Sequence, residues 1–207
     1  MVMTITKHYK KFCYSLFFLS LFNATAIRAD DSTFANVALA TIVPENSQWI
    51  WIDTKLKIVN LMDNNSPVKV FTNAKFGAGG IGHKQKRGDN ITPKGVYTIG
   101  WNNAKSDFRS FFGLTYPSIV DAQNGLKHRL INDVEYKAIV DANLQHTVPP
   151  QNTALGGAIG IHGLGNAKRR VVKHRNFNWT EGCIALTNEQ IDELARYVRT
   201  GMMVVID

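Results

Sequence analysis

Cysteine is scarce in this chain. Of 207 residues only Cys13 and Cys183 carry a thiol, so at most one bridge can close, and a domain of this length does not depend on one. A disulfide-framed miniprotein is excluded. Long apolar runs are equally rare: the one block of that character, residues 12–22 (FCYSLFFLSLF), falls short of the roughly 20 residues that span a bilayer. Proline is sparse, with 6 residues, charged residues make up only 19%, and no repeat or low-complexity tract occurs. With 44% hydrophobic residues, disorder as the main theme is excluded and the length suits a single domain with its own core, or one plus a short extension. The net charge of +8 points to an acidic partner, which composition leaves open among nucleic acid, a membrane surface and an anionic polymer.

Acid is missing from the N-terminus until Asp30, whereas Lys7, Lys10 and Lys11 precede the apolar block and Ala24-Thr25-Ala26 follows it. A basic head, an apolar run of about 7 to 15 residues and an A-x-A site describe a bacterial secretory leader. Cleavage is expected after Ala26, with Ala29 as second choice. The alternative, an uncleaved anchor, is weakened because Arg28 and Asp30 end the run with no second apolar segment. The mature protein is then expected in the periplasm, with no stable membrane insertion. Cleavage removes three lysines and Cys13, leaving 21 basic against 16 acidic residues, a net +5. Cys183 becomes a lone thiol bound for an oxidising compartment, either a small buried apolar residue or a reactive group. The chain divides into a leader (1–26), a lead-in (27–47) and one folded domain (48–207).

Residues 49–53, 57–61 and 68–71 are short β-branched and aromatic runs, and the D-N-N-S-P stretch at 63–67 is a turn. They read as a β-meander opening a mostly antiparallel domain. Gly77-Ala78-Gly79-Gly80-Ile81-Gly82 has the spacing of a dinucleotide loop, but that motif needs a helix directly after its glycines. Here turn formers follow, and Pro93 stands where the helix would be well under way. No cofactor is expected. Residues 96–99 alternate like a strand; residues 102–150 are looser, with a helix expected only near 134–143, and read as an elaboration beside the site. Residues 158–161 read as a buried strand leading to His162. Thr187 and Gln190 form a capping box, with Ile191, Leu194, Ala195 and Val198 at helical spacing and Gly201 as the stop. Residues 202–206 make a final strand.

Two segments could carry chemistry, Ile161-His162-Gly163 and Trp179-Thr180-Glu181-Gly182-Cys183. A cysteine nucleophile works as thiolate, so it needs a base and a backbone that lets a carbonyl carbon approach. Gly182 allows the approach, backbone N–H groups beside it could receive an oxyanion, and His162 could take the thiol proton if the two strands meet. The residues alone leave a buried structural cysteine open as the other reading. The remaining histidines lack ligand spacing, so a metal hydrolase gets little support.

At these residues the sequence resembles the YkuD-type L,D-transpeptidase catalytic domain family. His162-Gly163 with Thr180-Glu181-Gly182-Cys183-Ile184-Ala185-Leu186-Thr187-Asn188 matches its H-G … [S/T]-x-G-C signature, and Gly88-Asp89-Asn90-Ile91-Thr92-Pro93-Lys94-Gly95 is similar to its G-D-x-x-T-P-x-G segment. The resemblance covers residues 49–207. It implies a mainly β fold, a sandwich or barrel with a helix after the cysteine loop, acting on peptidoglycan stem peptides. Cys183 corresponds to the nucleophile and His162 to the base, with the Gly163 carbonyl orienting the imidazole and Thr180 and Gly182 in the nucleophile loop. Many members carry Arg where this chain has Ala185 and His where it has Glu181. The W-T-x-G-C-I-A form resembles a subgroup with amidase-like members that release lipoprotein, which leaves transfer to an amine, a lipoprotein acceptor included, or hydrolysis open. Residues 168–175, read as a loop, hold five Lys and Arg, either a solvated face or binders of stem carboxylates. Arg169, Arg170, Arg175 and Trp179 are the expected substrate-binding set. Nucleic acid is not an expected partner of an exported protein.

Overall fold

The computed structural model describes residues 47–207; the leader and nearly all of the lead-in lie outside the described residues. Strands β1 (Gln48–Asp53), β2 (Ile58–Asp63) and β3 (Ser66–Phe71) form the expected meander. In β1 the W-I-W-I alternation serves two faces. Ile50 and Ile52 enter the main core, while Trp49 packs with Met62 and Val205 on the other side. Each large apolar side chain taken out of water contributes about 1.5–3 kcal/mol.

The glycine-rich stretch runs into β4 (Gly80–Gly82), which pairs in parallel with β5 (Ile91–Pro93) as a small separate sheet, and no helix follows it. Between these strands the Asp89 carboxylate accepts hydrogen bonds from the backbone amides of Gln85, Lys86 and Ile91 and an ion pair from the buried Lys84. Thr92 Oγ1 accepts from Gly77 N at 2.8 Å. The G-D-x-x-T-P segment thus pins its own loop.

The long β6 (Gly95–Ser106) changes partners along its length. Its first residues pair with β10 (Met203–Ile206), which lies parallel to β1, and the rest pairs with β7 (Arg109–Leu114). Next come β8 (Gly160–His162) and β9 (Ile184–Ala185), completing an eight-stranded sheet in the order β3-β2-β1-β10-β6-β7-β8-β9. The core it encloses includes Phe76, Phe112, Leu114, Ile161 and Ile184, and Ile191 and Leu194 cap it from the helix after Cys183. The fold is mainly β.

Two helices lie in the region read as loose, α1 (Ile119–Lys127) and α2 (Asp133–Leu144), each opened by a complete capping box, Ser118 with Asp121 and Asn132 with Glu135. They share a small core of Ala122, Ile131, Ile139 and Leu155. Polar ties hold α2 from two sides: Glu135 Oε1 accepts from Ala154 N at 2.9 Å, in the segment ahead of β8, and Asn143 Nδ2 donates to Pro117 O at 3.1 Å, just ahead of α1. The elaboration braces one wall of the site.

Residues 168–175 are not a loop. They lie in helix α3 (Lys168–Asn176), which buries His174 and leaves Lys168, Arg169, Lys173 and Arg175 exposed. The sequence hides it because Ala167 offers no side-chain cap and one apolar contact face is missing. The final helix, α4 (Asn188–Leu194), has the expected Thr187–Gln190 capping box but ends at Leu194, short of the apolar repeat. No helix among the described residues is long and apolar enough to cross a membrane.

Candidate active site

The site is built at the β8–β9 pair. These strands run parallel, with Ile161 opposite Ile184 and His162 opposite Ala185. Cys183 lies directly ahead of β9, two residues before Ala185 and one strand over from His162, a diagonal of roughly 8 Å between Cα atoms for ordinary sheet dimensions, and both residues line the same groove. Residues 21 apart in sequence are brought together by one pairing.

Each side chain is held from its own side. His162 Nδ1 meets the Gly163 carbonyl at 2.6 Å. A carbonyl only accepts, so Nδ1 carries the proton and Nε2 is the basic nitrogen. The ring of His162 is 2% exposed and packs against Phe108, Phe111 and Trp179, with centroids at 4.3, 6.2 and 5.9 Å. Burial pushes its pKa down to about 4; the Gly163 hydrogen bond opposes this, while the charges of Arg170 and His174 add to it. Gly163 has no room for a side chain, since a Cβ would stand 2.7 Å from Ile191 Cγ2 and 2.8 Å from the Phe108 carbonyl.

The nucleophile loop is closed by Thr180, whose hydroxyl donates to Cys183 O at 2.6 Å and accepts from Gly182 N at 3.2 Å. That second bond commits the Gly182 amide, so an oxyanion must find its donors elsewhere. Gly182 adopts φ +128°, a backbone that side chains rarely take, and a Cβ there would meet Ile91 O at 2.7 Å. The Cys183 thiol lies 3.4 Å from the Ala158 carbonyl. Burial pushes it up to about 11, with Glu181 adding and with the Gly160 backbone and Lys84 opposing. Cysteine and histidine therefore rest uncharged at neutral pH.

Both open onto a groove of about 870 Å³. Arg169, Arg170 and Trp179 line it; Arg175 is not among its lining residues and is exposed on the last turn of α3. Lys173, one of the five cations read at 168–175, lines the same groove, and sequence reasoning missed two more, Lys84 and Arg87, which stand with it against a single carboxylate, Glu181. The H-K-Q-K-R run at 83–87 carried that signal as bare charge. It also missed the role of Asn188, whose Oδ1 accepts from Leu164 N and Gly165 N, both at 2.9 Å, and whose Nδ2 donates to Gly165 O at 3.0 Å. This side chain ties α4 to the loop after His162. Among the described residues no group of three His, Cys, Asp or Glu side chains could hold a metal ion.

The chain is similar to several solved structures. A single-residue variant of the helical cell shape determining protein Pgp2 from Campylobacter jejuni superposes with a TM-score of 0.51 at 20% identity, over 79% of this chain and 47% of that one. Bd1075 from Bdellovibrio bacteriovorus gives 0.49 at 16% identity, over 79% and 48%, and an L,D-transpeptidase from Mycobacterium smegmatis 0.41 at 11%, over 77% and 58%. The chain thus spans about half the length of these structures. No curated protein sequence matches it. The profile of the YkuD family, the L,D-transpeptidase catalytic domain, matches residues 47–206, and the chain belongs to that family.

Proposed function

We propose that the protein is an exported cysteine acyltransferase acting on the stem peptides of peptidoglycan, delivered to the periplasm by its leader. The observation that carries this reading is the parallel β8–β9 pair, which brings the strand ending in His162, with Nε2 as its basic nitrogen, beside the strand that Cys183 leads into, along a cation-rich groove that both side chains line. His162 Nε2 accepts the Sγ proton as Cys183 attacks the diaminopimelate carbonyl at its bond to the terminal D-alanine. Collapse of the tetrahedral adduct breaks that bond, and the departing amine takes the proton from His162. A thioester remains. An amine from a neighbouring stem or a lipoprotein then attacks it, His162 again relaying the proton, and the thiol is restored.

Ala185 and Glu181, where many family members carry Arg and His, favour keeping a second reading in which water resolves the thioester, as an L,D-carboxypeptidase or an amidase that frees lipoprotein. A carbapenem tests the shared first half. Intact mass should show one adduct on the mature protein, none on Cys183→Ala and slow formation on His162→Ala. A folded wild-type protein that stays unmodified would rule out a nucleophilic enzyme and leave a peptidoglycan-binding module. Defined tetrapeptide and lipoprotein-linked muropeptides, given with excess acceptor amine, separate the outcomes: cross-linked products support transfer, and cleaved stems alone support hydrolysis.

A further inference from the structure

Arg170 was expected among the residues that bind substrate carboxylates, yet its guanidinium already has protein partners. Nη1 donates to Asp107 O at 2.7 Å, in the turn between β6 and β7, and to Leu164 O at 3.0 Å, two residues beyond His162. The guanidinium carbon lies 4.3 Å from the centre of the Phe108 ring. That ring lies 4.3 Å, centre to centre, from the imidazole of His162. Guanidinium, phenyl and imidazole follow one another in contact, the phenyl tilted 42° to the imidazole, and the two hydrogen bonds fasten the guanidinium to both segments that carry the rings.

We propose that Arg170 is a positioning residue for His162: by joining the β6–β7 turn to the loop after β8 it presses Phe108 onto the imidazole and fixes the direction of Nε2. The proposal rests on the reading of His162 as the base. A cation stacked on Phe108 gains attraction from the ring face, and the Nη1 fork reaches two carbonyls that a lysine ammonium on its flexible stem would not hold in one geometry. Among the described residues the imidazole has one hydrogen-bond anchor, at Nδ1, so its tilt is set by the rings that pack on it. The groups that bear on its charge are Arg170 and His174. The ring walls, Phe111 of β7 and Trp179 of the loop before Cys183, are uncharged, while Cys183, Glu181, Arg169, Lys173, Lys84 and Arg87 share the groove onto which the imidazole opens. A fixed cation at this distance also keeps the base neutral as the pH falls.

The test is carbapenem acylation followed from pH 4 to 9, reading the saturating rate and the half-saturating concentration separately. Arg170→Gln should lower the saturating rate about 10- to 100-fold, leave the half-saturating concentration nearly unchanged, and move the acidic limb to higher pH, because His162 protonates more readily without the neighbouring charge. Arg170→Lys should lower the rate while leaving the limb in place. Phe108→Leu should lower it too, and the Phe108→Leu/Arg170→Gln double variant should be no slower than the worse single one. A wild-type saturating rate and limb with a raised half-saturating concentration would overturn the proposal and make Arg170 a substrate binder. Should Arg170→Gln fail to fold in a thermal melt, Phe108→Leu decides, and a wild-type rate there overturns the proposal as well. Failure of the underlying reading looks different: His162→Ala would then acylate at the wild-type rate.

Discussion

Cys183 is a thiol held in its protonated form. Burial raises it to about 11 and lowers His162 to about 4, so between those limits the resting pair carries no charge, and in the proposed mechanism the proton moves only as the carbonyl is attacked. An enzyme with a preformed thiolate–imidazolium pair behaves differently, since its thiol reacts with any small electrophile. Alkylation of the mature protein by iodoacetamide should therefore be slow at pH 7, where only about one thiol in 10,000 is ionised, and should climb about tenfold per pH unit toward pH 11. A plateau of fast alkylation near neutrality would show an ion pair instead. The neighbouring glycine sets a second requirement. At φ +128° with Ile91 O 2.7 Å from any Cβ, Gly182→Ala should destabilise the fold by about 2 kcal/mol or more and displace Cys183, abolishing the carbapenem adduct. Chemical denaturation with wild-type midpoint and slope would contradict this.

At the scale of elements, what the sequence makes legible is whatever one segment specifies by itself. The meander β1–β3 reads directly because its Trp, Ile and Val runs are separated by short polar turns, the second of them Asp63-Asn64-Asn65, and α4 begins where its Thr187–Gln190 box says it does. β7 escapes because R-S-F-F-G-L packs on several neighbours and shows no alternation. α1 buries only Asp121, Ala122 and Gly125, leaving no apolar stripe to see although its capping box is written plainly. α3 is stabilised by what it packs on, with His174 its one buried residue. The same division runs through the site. Cys183 and His162 stand out by motif, whereas Lys84, Arg87 and Phe108 arrive by topology, from β-loops far away in the chain. Asn188 lies between these cases, since its place in the motif is visible and its task is not. It clamps α4 to the loop behind His162 through three hydrogen bonds. Asn188→Ala leaves two amides without their acceptor, and should lower stability by about 2–3 kcal/mol and slow acylation. Asn188→Asp keeps the acceptor and should fall between the two. Equal stability of all three proteins in urea would remove the clamp from the account.

For the whole molecule the buried histidines set how stability depends on pH. His162 and His174 are 2% and 3% exposed, and neither ring nitrogen of His174 has a hydrogen-bond partner. Burial lowers His174 to about 4, with Lys75 adding its charge. An unfolded histidine takes up a proton below about pH 6.5, whereas the folded ones resist until about 4, so acid favours the unfolded chain across that window. Each group can remove up to about 3 kcal/mol as the pH falls from 6.5 to 4. The carboxylates act elsewhere or in the other direction. Asp89 is buried, which alone would raise it, but its bonds to Lys84 and three backbone amides hold it below the usual range, so its contribution is lost only in stronger acid. Asp121 is raised by burial; it binds a proton in the folded state first and offsets part of the loss. Urea denaturation at pH 7, 5.5 and 4 should therefore show stability falling steeply below 6.5. His174→Phe removes one titrating group and two unpartnered nitrogens, and should raise stability at pH 7 by about 1 kcal/mol while cutting the acid slope by roughly half. A slope unchanged by that substitution would mean that His174 protonates freely in the folded protein.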